Sequence, residues 1–594
     1  MKKNLRNILA FAILLVAPLL AAAKNYDIVP APVEITEGEG TFEIARGAVV
    51  GVADKTLLPT AEYLVDYMET YLGIPLAEPQ LVKKTKNPAV RLLWNKDADM
   101  GEEEYRLCIT ARDGVVVEAA SPAGMFYGVQ TLIQLLPSRP GIRAILPAVA
   151  VHDYPRFAFR AQHLDVSRHY FPVAYIKKVL DYMAFHKMNY FHWHLTDDQG
   201  WRIEMKCRPE LTAKGAWREG EIEGLYPGKY KELPYGGYYT QEDVKEVVEY
   251  AAARHITVIP EIDIPGHCMA VLATYPELGT KPDEEKKCAL TWGIFNKFNN
   301  VLAPKPATFD FLRDVFTELC SLFPGPYIHL GGDECAPRWW EESEETQQYM
   351  RDHGIKTTAA LQIHIVNYVV DIVEQNGKTA LGWDEVLQEG VSPKCVIVNW
   401  RAPENGVRAV KAGHRTVMAS ARWSYLNVRE SARQDEVGPV RVLPMKKVYG
   451  YDVVPDSLSA EEATLVMGVE SCLWTEYDPT TWKVEYFLFP RLAAVAENGW
   501  SAVERKNWDD FVGRMLRQLD RYDLWGIRYL GRDARPPHGA PPRRIRRGFE
   551  PERRGARVPA QRRVPSEAVG ADAGQCDGRR SAEQFRTYAV ALRR

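Results

Sequence analysis

Two adjacent carboxylates, Asp333 and Glu334, follow a short apolar segment that ends at two glycines. The segment reads Tyr327-Ile328-His329-Leu330 and is followed by Gly331-Gly332. Two like charges side by side disfavour joint ionisation, so we expect one of the two carboxyls to have a raised pKa. A carboxylic acid that keeps its proton near neutral pH can donate it, which is the chemistry of acid catalysis.

The two glycines decide whether both carboxylates can reach one pocket. Neighbouring side chains of a regular strand point to opposite faces, so Asp333 and Glu334 share a pocket only where the strand ends and the backbone turns. Gly331 and Gly332 permit that turn. A solvated acidic loop is the alternative interpretation of an isolated Asp-Glu pair, and the choice depends on the surrounding elements.

Those elements form a repeating pattern in which a short apolar segment ends in polar residues and is followed by a helical stretch. Alternating strands and helices predict a parallel sheet, and eight such units predict an α/β fold of the closed (β/α)₈ barrel type. The predicted strands run from Phe159 to Asp165, Met188 to Leu195, Ile256 to Asp263, Tyr327 to Gly332, Thr379 to Trp383, Val396 to Trp400, Arg415 to Ala419, and Val466 to Trp474.

Polar and aromatic residues stand at the carboxyl ends of these strands, the face of such barrels that carries the active site. Tryptophan faces suit a sugar ring or an acetyl methyl group, and fixed polar groups suit sugar hydroxyls. We expect Trp383, Trp400 and Trp474 to serve in the first way. We expect Arg160, Asn427 and Glu476 to serve in the second. No glycine-rich phosphate loop accompanies these residues.

The chain of 594 residues is expected to form several domains. Residues 1–23 read as a signal peptide, with early Lys and Arg, an apolar run and three alanines, which predicts export to the periplasm or beyond. That run is too short to span a bilayer. Residues 24–153 predict a small α/β domain, residues 154–530 the barrel, and residues 531–594 an Arg/Pro-rich tail. The tail is interpreted either as a native disordered segment or as a product of a shifted reading frame.

The overall charge gives no reason to expect a nucleic-acid or membrane partner, because the net charge is only -3. The nine cysteines are scattered without paired spacing, so we expect no structural zinc, and no other metal or cofactor is indicated. Cys268 and Cys288 are the first candidates for a disulfide.

By its motifs the chain resembles the family 20 glycoside hydrolases, the exo-acting β-N-acetylhexosaminidases. The resemblance extends from about residue 25 to residue 525 and includes the domain that precedes the barrel. Glu470, where the family often has glutamine, and the loosely matching segment 288–305 depart from the pattern. The matching motifs are Leu164-Asp165-Val166-Ser167-Arg168-His169 with Arg160, Phe191-His192-Trp193-His194-Leu195-Thr196-Asp197-Asp198, Pro260-Glu261-Ile262-Asp263-Ile264-Pro265-Gly266-His267, His329-Leu330-Gly331-Gly332-Asp333-Glu334, Gly382-Trp383-Asp384-Glu385, Tyr425-Leu426-Asn427, and Leu473-Trp474-Thr475-Glu476.

The resemblance implies substrate-assisted hydrolysis with retention, in which the substrate's acetamido carbonyl attacks C1. Glu334 would be the general acid and base, and Asp333 would orient the acetamido group and stabilise its developing positive charge. Tyr425 would donate to the acetamido oxygen. Asp197 and His267 would form a supporting pair near Glu334, although a purely structural pair is an equal alternative.

The implied substrate is a glycan with a terminal β-linked N-acetylhexosamine, and the sequence leaves the choice between N-acetylglucosamine and N-acetylgalactosamine open. Two other functions on the same fold remain open as well. One is a non-catalytic glycan-binding protein, which would typically lack one of the carboxylates. The other is a transglycosylase, which would differ only in the acceptor that reaches the intermediate.

Overall fold

The computed structural model describes residues 26–96, 99–224, 228–290, 296–433, 438–439 and 441–530. The predicted signal peptide and the Arg/Pro-rich tail lie outside these residues. Among the described residues, no helix combines the length and the apolar character needed to cross a membrane.

The amino-terminal domain is a seven-stranded mixed sheet with two helices. The strand order is β1-β7-β5-β6-β4-β2-β3. Ser121 caps the second helix by accepting from the Gly124 N–H. The elements are β1 (Glu34–Ala45), β2 (Val50–Val52), α1 (Leu58–Leu72), β3 (Gln80–Leu81), β4 (Val90–Trp94), β5 (Tyr105–Thr110), β6 (Gly114–Ala119), α2 (Pro122–Leu135) and β7 (Arg143–Asp153).

The second domain begins with two barrel strands and a long loop. The loop between β9 and the next barrel strand folds into short hairpins that cover one side of the barrel's carboxyl face. The elements in this part are β8 (Phe159–Asp165), α3 (Val173–Phe185), β9 (Tyr190–His194), β10 (Thr196–Asp197), β11 (Gly200–Trp201), α4 (Glu210–Ala213), β12 (Trp217–Arg218), β13 (Glu221–Glu223), β14 (Lys229–Lys231), β15 (Tyr235–Gly236) and α5 (Gln241–Ala252).

Six further strands complete the barrel, and helices on the outside connect them. The elements are β16 (Thr257–Glu261), α6 (Met269–Thr274), α7 (Pro306–Leu322), β17 (Tyr327–His329), α8 (Arg338–Glu341), α9 (Glu344–Asp352), α10 (Thr358–Gln375), β18 (Thr379–Trp383), β19 (Val396–Asn399), α11 (Pro403–Lys411), β20 (Thr416–Met418), α12 (Ala421–Ser424), α13 (Met445–Tyr449), α14 (Ala460–Ala463), β21 (Val466–Leu473), α15 (Thr481–Leu488), α16 (Arg491–Trp500) and α17 (Trp508–Leu524).

The barrel is closed in the order β16-β17-β18-β19-β20-β21-β8-β9, and its neighbouring strands are parallel. All eight predicted strands are therefore confirmed, and β8 and β18 have the predicted bounds. Strand β17 ends at His329, earlier than predicted, because Gly331 and Gly332 adopt φ values of 71° and 94°.

The predicted disulfide between Cys268 and Cys288 is wrong. Both residues are buried free thiols. The Cys268 thiol donates to the Gly266 carbonyl at 2.9 Å, and the Cys288 thiol points at the Gly215 carbonyl at 3.4 Å. The two sulfurs thus contact carbonyls of different segments and form no bond with each other.

Candidate active site

The two glycines after β17 form the turn that brings both carboxylates to the barrel's carboxyl face. An added Cβ at Gly331 would lie 1.8 Å from Oδ1 of Asp263, so no other residue fits there. The Gly332 N–H donates to the same Asp263 oxygen at 3.0 Å. Glu334 has a φ of 43°, which is unusual for a non-glycine residue and typical of functional sites.

His267 lies between two pairs of carboxylates. Its Nδ1 is 3.1 Å from Asp197 Oδ1, and its Nε2 is 3.7 Å from Asp333 Oδ2 and 3.6 Å from Glu334 Oε2. Burial opposes its charged form, but Asp197, Asp198 and Glu334 raise the pKa of His267 well above its ordinary value. His267 is thus an imidazolium, and the contact predicted between Asp197 and His267 is present.

The raised pKa expected for one carboxyl falls on Asp333. Burial, with the charges of Glu334 and Glu261, raises the pKa of Asp333 to about 6, although His267 acts in the opposite direction. The imidazole of His267 holds the pKa of Glu334 below its ordinary value. The difference arises because the Asp333 side chain is 12% exposed and that of Glu334 is 38% exposed. In the free protein Asp333 is therefore the more basic carboxyl. The role implied for it by the resemblance, to stabilise a positive charge, requires it to be ionised.

Three aromatic residues surround the pocket next to these carboxylates. The ring of Tyr425 stacks on Trp400 at 6.0 Å and tilts against Trp474 at 6.2 Å. Burial raises the pKa of Tyr425, so its hydroxyl keeps the proton that it can donate. Trp383 differs from the prediction: it is fully buried, its ring lies 5.8 Å from that of Trp474, and its indole N–H donates to Glu261 in the barrel interior.

Arg160 is the one predicted site residue that lies elsewhere. It is the second residue of β8, so it lies roughly 16 Å from the carboxyl end of that strand. Its guanidinium forms a bidentate pair with Glu103, with N···O distances of 2.8 and 2.9 Å, and it donates to the Lys187 carbonyl. Arg160 therefore joins the barrel to the first domain, and the assignment to substrate binding is wrong.

Arg168 occupies the position that had been assigned to Arg160. Its side chain lies 5.1 Å above the ring of Trp474, and its Nη1 is 3.7 Å from Glu476 Oε1. The same Nη1 is 3.1 Å from Asp165 Oδ2, and Nη2 is 2.7 Å from Asp197 Oδ2. Arg168 follows β8 by three residues, and this position at the carboxyl face was the available sequence clue.

Glu476 and Asn427 are the two remaining residues that were expected to bind sugar hydroxyls. Oε2 of Glu476 and Oδ1 of Asn427 are buried and accept no hydrogen bond from the described residues. Oδ1 of Asp333 is likewise buried and receives no N–H donor from them, and the Asp263 carboxyl forms a hydrogen bond with the Asp333 carboxyl. Buried acceptors without donors are rare in native proteins, and three in one pocket indicate a site built for a ligand that supplies donors.

Comparison with known proteins decides the family. The family model described as "Glycosyl hydrolase family 20, catalytic domain" matches residues 157–503, and "Glycosyl hydrolase family 20, domain 2" matches residues 25–154. The chain belongs to glycosyl hydrolase family 20. The expected resemblance is confirmed, and the pocket between Arg168 and Glu334 is at the carboxyl face of this family's catalytic barrel.

Two relatives in the family are named as hexosaminidases. A β-hexosaminidase of Porphyromonas gingivalis is 36% identical over 516 residues, which cover 85% of this chain and 64% of that protein. A β-N-acetylhexosaminidase of Cellulomonas fimi is 33% identical over 508 residues, which cover 84% of this chain and 95% of that protein. These matches support a β-N-acetylhexosaminidase, a glycosidase.

Solved structures of the family agree in fold. A family 20 exo-β-N-acetylglucosaminidase of Vibrio harveyi in complex with N-acetylglucosamine has a TM-score of 0.77 at 29% identity, covering 85% of this chain and 78% of that one. A mutant Streptomyces plicatus β-hexosaminidase in complex with its product has a TM-score of 0.73 at 30% identity, covering 86% and 97%. The barrel and the preceding domain of this family 20 protein therefore have solved counterparts.

Glu385 is a further pocket residue of this family 20 protein that the sequence reasoning did not select. Its Oε2 accepts from the Trp400 indole N–H at 2.6 Å. Burial and the charge of Asp333 raise the pKa of Glu385 to about 8. The residue stood in a matching motif directly after Trp383 and Asp384, but nothing in the sequence indicated which later tryptophan it would hold.

Glu261 is the second missed residue, and it lies in the barrel interior below the pocket. Its Oε2 is 2.5 Å from His194 and 3.0 Å from His192, and its Oε1 is 3.1 Å from His329 and 2.8 Å from the Trp383 indole nitrogen. Donor atoms of Glu261, His192 and His163 lie close enough together for a metal ion. Because both Glu261 oxygens already face N–H donors, we interpret the group as hydrogen-bonded ion pairs.

Proposed function

We propose that this protein is an exo-acting, retaining β-N-acetylhexosaminidase that removes terminal β-linked N-acetylglucosamine or N-acetylgalactosamine from glycans by substrate-assisted catalysis. The observation that carries the proposal is Oδ1 of Asp333, a buried acceptor without an N–H donor, next to the aromatic walls of Tyr425 and Trp400. An acetamido N–H would supply that donor. The amino-terminal segment supports action in the periplasm or outside the cell.

In the first step the acetamido carbonyl oxygen attacks C1 of the sugar while Glu334 transfers its proton to the leaving oxygen. The bond from C1 to the leaving oxygen breaks, and an oxazolinium ion forms. Ionised Asp333 accepts from the acetamido N–H and offsets the positive charge, and Tyr425 donates to the carbonyl oxygen. The aglycone leaves with the proton from Glu334.

In the second step Glu334, now a carboxylate, takes a proton from water as the water attacks C1. The bond between C1 and the acetamido oxygen breaks, and the acetamido group is restored. Two inversions at C1 give net retention. Arg168, Asn427 and Glu476 are placed to bind the sugar hydroxyls, because Glu476 and Asn427 have unpaired buried acceptors and Arg168 lies beside Glu476.

The test is hydrolysis of nitrophenyl β-N-acetylglucosaminide and β-N-acetylgalactosaminide across acid to neutral pH, with NMR detection of the first-formed anomer. We expect release of nitrophenol, with the β-anomer of the free sugar appearing first. Binding of N-acetylglucosamine without hydrolysis of either substrate would favour a glycan-binding protein. Release of the α-anomer first would contradict retention and with it the substrate-assisted mechanism.

A further inference from the structure

The interior of the barrel contains a series of alternating carboxylates and imidazoles that is hydrogen-bonded as far as His267 and ends in an ion-pair contact with Glu334. Beginning at Glu261, Oε2 is 2.5 Å from His194 Nδ1, and His194 Nε2 is 3.0 Å from Asp197 Oδ2. The other Asp197 oxygen is 3.1 Å from His267 Nδ1, and His267 Nε2 is 3.6 Å from Glu334. Of these groups only Glu334 has substantial solvent exposure.

We infer that His194 and Glu261 are positioning residues for the acid and base Glu334, acting through Asp197 and His267. His194 can hold both carboxylates only as an imidazolium, because a neutral ring has a single N–H. The Nε2–H of His194 holds Oδ2 of Asp197, while His267 contacts Oδ1 of the same carboxylate. Asp197 is then oriented to keep His267 charged and directed at Glu334. This inference rests on the proposed role of Glu334.

The surroundings of His194 support the charged form. Burial opposes it, but Glu261 and the hydrogen bonds to Asp197 and Glu261 raise the pKa of His194 to about 10. Asp165 adds a further favourable charge. The rings of His163 and Trp474 pack against His194 at 5.6 and 4.9 Å, and His163 is kept neutral because burial lowers its pKa.

The later members of the series have other charged neighbours, which limit the size of the effect. Arg168 Nη2 holds Asp197 Oδ2 at 2.7 Å, and Asp198 Oδ2 is 3.3 Å from His267. Glu334 faces the charges of Arg168 and Asp197 besides His267, and its own charge acts on Asp333. Loss of His194 therefore weakens the orientation of Asp197 but leaves it an ion pair with Arg168.

Two substitutions separate the hydrogen bond to Asp197 from the charge. The amide nitrogen of Asn replaces Nδ1 of histidine, so His194→Asn keeps a donor toward Glu261 and loses the donor toward Asp197. The amide nitrogen of Gln replaces Nε2, so His194→Gln keeps the donor toward Asp197. Both variants remove the positive charge and leave Asp197 and Glu261 negative.

We expect both variants to move the basic limb of the kcat/KM profile upward by about half a pH unit, because a more negative surrounding raises carboxyl pKa values. His194→Asn should also lose about tenfold to a hundredfold in kcat with a poor leaving group and much less with a good one, as a misplaced acid does. His194→Gln should recover most of that loss. Thermal unfolding identifies variants that do not fold.

Glu470→Gln is the matched control, since it removes a carboxylate of the same barrel interior. Glu470 contacts His192 Nδ1 at 2.8 Å, and the other nitrogen of that ring is 3.0 Å from Glu261. We expect this variant to keep the wild-type position of the basic limb and the wild-type dependence on the leaving group. Because Glu470→Gln removes a negative charge, a downward shift of the basic limb in this variant, as large as the upward shift in the His194 variants, would mean a general effect of core charge and would overturn the inference.

One further measurement is made on the unsubstituted protein. NMR of the ring nitrogens of labelled histidine should show His194 doubly protonated at neutral pH, assigned by its loss in His194→Gln. A singly protonated His194 would overturn the inference. The inference would also be overturned if both His194 variants kept the wild-type pH profile and the wild-type dependence on the leaving group. Such variants would still be active, so the proposed hydrolysis would stand.

Discussion

Nε2 of His267 lies 3.6 Å from Oε2 of Glu334, and the same nitrogen lies 3.7 Å from Oδ2 of Asp333. One imidazolium thus serves both carboxylates, and it lowers the pKa of each. Burial outweighs this effect at Asp333 and does not at Glu334. The proton that the proposed mechanism requires on Glu334 therefore resides first on Asp333, and substrate binding has to move it.

This proton arrangement gives a prediction for the pH dependence. Catalysis needs one proton on the pair, and kcat/KM reports the free enzyme. Above about pH 6, the pKa of Asp333, the pair loses that proton, so we expect kcat/KM to fall as pH rises further. Below the lowered pKa of Glu334 both carboxyls are protonated, and kcat/KM falls again. A profile of kcat/KM that stays level from pH about 5 to about 8 would contradict this assignment.

Glu334→Gln tests the acid directly. We expect a loss of about two to four orders of magnitude in kcat/KM with a poor leaving group such as an alkyl or sugar aglycone. A dinitrophenyl aglycone needs little protonation, so its release in the first step should lose much less rate. The comparison uses single-turnover kinetics for the two substrates. Equal, small losses for both would show that Glu334 is not the acid.

Arg168 and Arg160 form a natural pair for testing where the pocket lies. We expect Arg168→Ala to lower kcat/KM by about a hundredfold or more, because Glu476 and Asp197 lose a buried charged partner. Arg160→Met should lower the free energy of unfolding by about 3–5 kcal/mol, since it leaves Glu103 without its partner. The kcat/KM of folded Arg160→Met should stay near that of the wild type. Denaturant unfolding and steady-state kinetics of both variants measure these effects. A large loss of kcat/KM in folded Arg160→Met, with little loss in Arg168→Ala, would restore the assignment of Arg160 to substrate binding.

The contrast between these arginines shows what the sequence could supply. The periodic pattern predicts all eight barrel strands because each strand is buried on both faces. It also predicts the carboxyl-face residues, because polar and aromatic residues stand at the carboxyl ends of these strands. The position along β8 decides which of Arg160 and Arg168 reaches the pocket. Because β8 begins at Phe159, Arg160 lies near the amino end of the strand, away from the carboxyl face. The charge states of Asp333 and Glu334 depend on burial and on the reach of His267, which no local pattern encodes.

Gly331 tests the turn that presents the two carboxylates. Its φ of 71° costs a non-glycine residue about 1–2 kcal/mol. An added Cβ would also overlap Asp263 at 1.8 Å. We therefore expect Gly331→Ala to reduce both stability and kcat/KM. Gly354→Ala is the control, because Gly354 has a φ of 68° with no atom within 4 Å of the added Cβ. It should show the backbone cost alone and wild-type activity, and matching losses in the two variants would mean that the overlap with Asp263 is unimportant.

The role of Asp333 is tested most directly by the affinity of a thiazoline mimic of the cyclised intermediate for the wild type and for Asp333→Asn. The mimic carries the acetamido-derived ring, so we expect it to bind the wild type far more tightly than N-acetylglucosamine does, as transition-state-like ligands do. Asp333→Asn should lose most of that advantage, because a neutral amide does not offset the developing positive charge. A mimic that binds the wild type no better than N-acetylglucosamine, together with a fluorinated sugar trapped covalently on Asp333, would contradict substrate-assisted catalysis and make Asp333 the nucleophile.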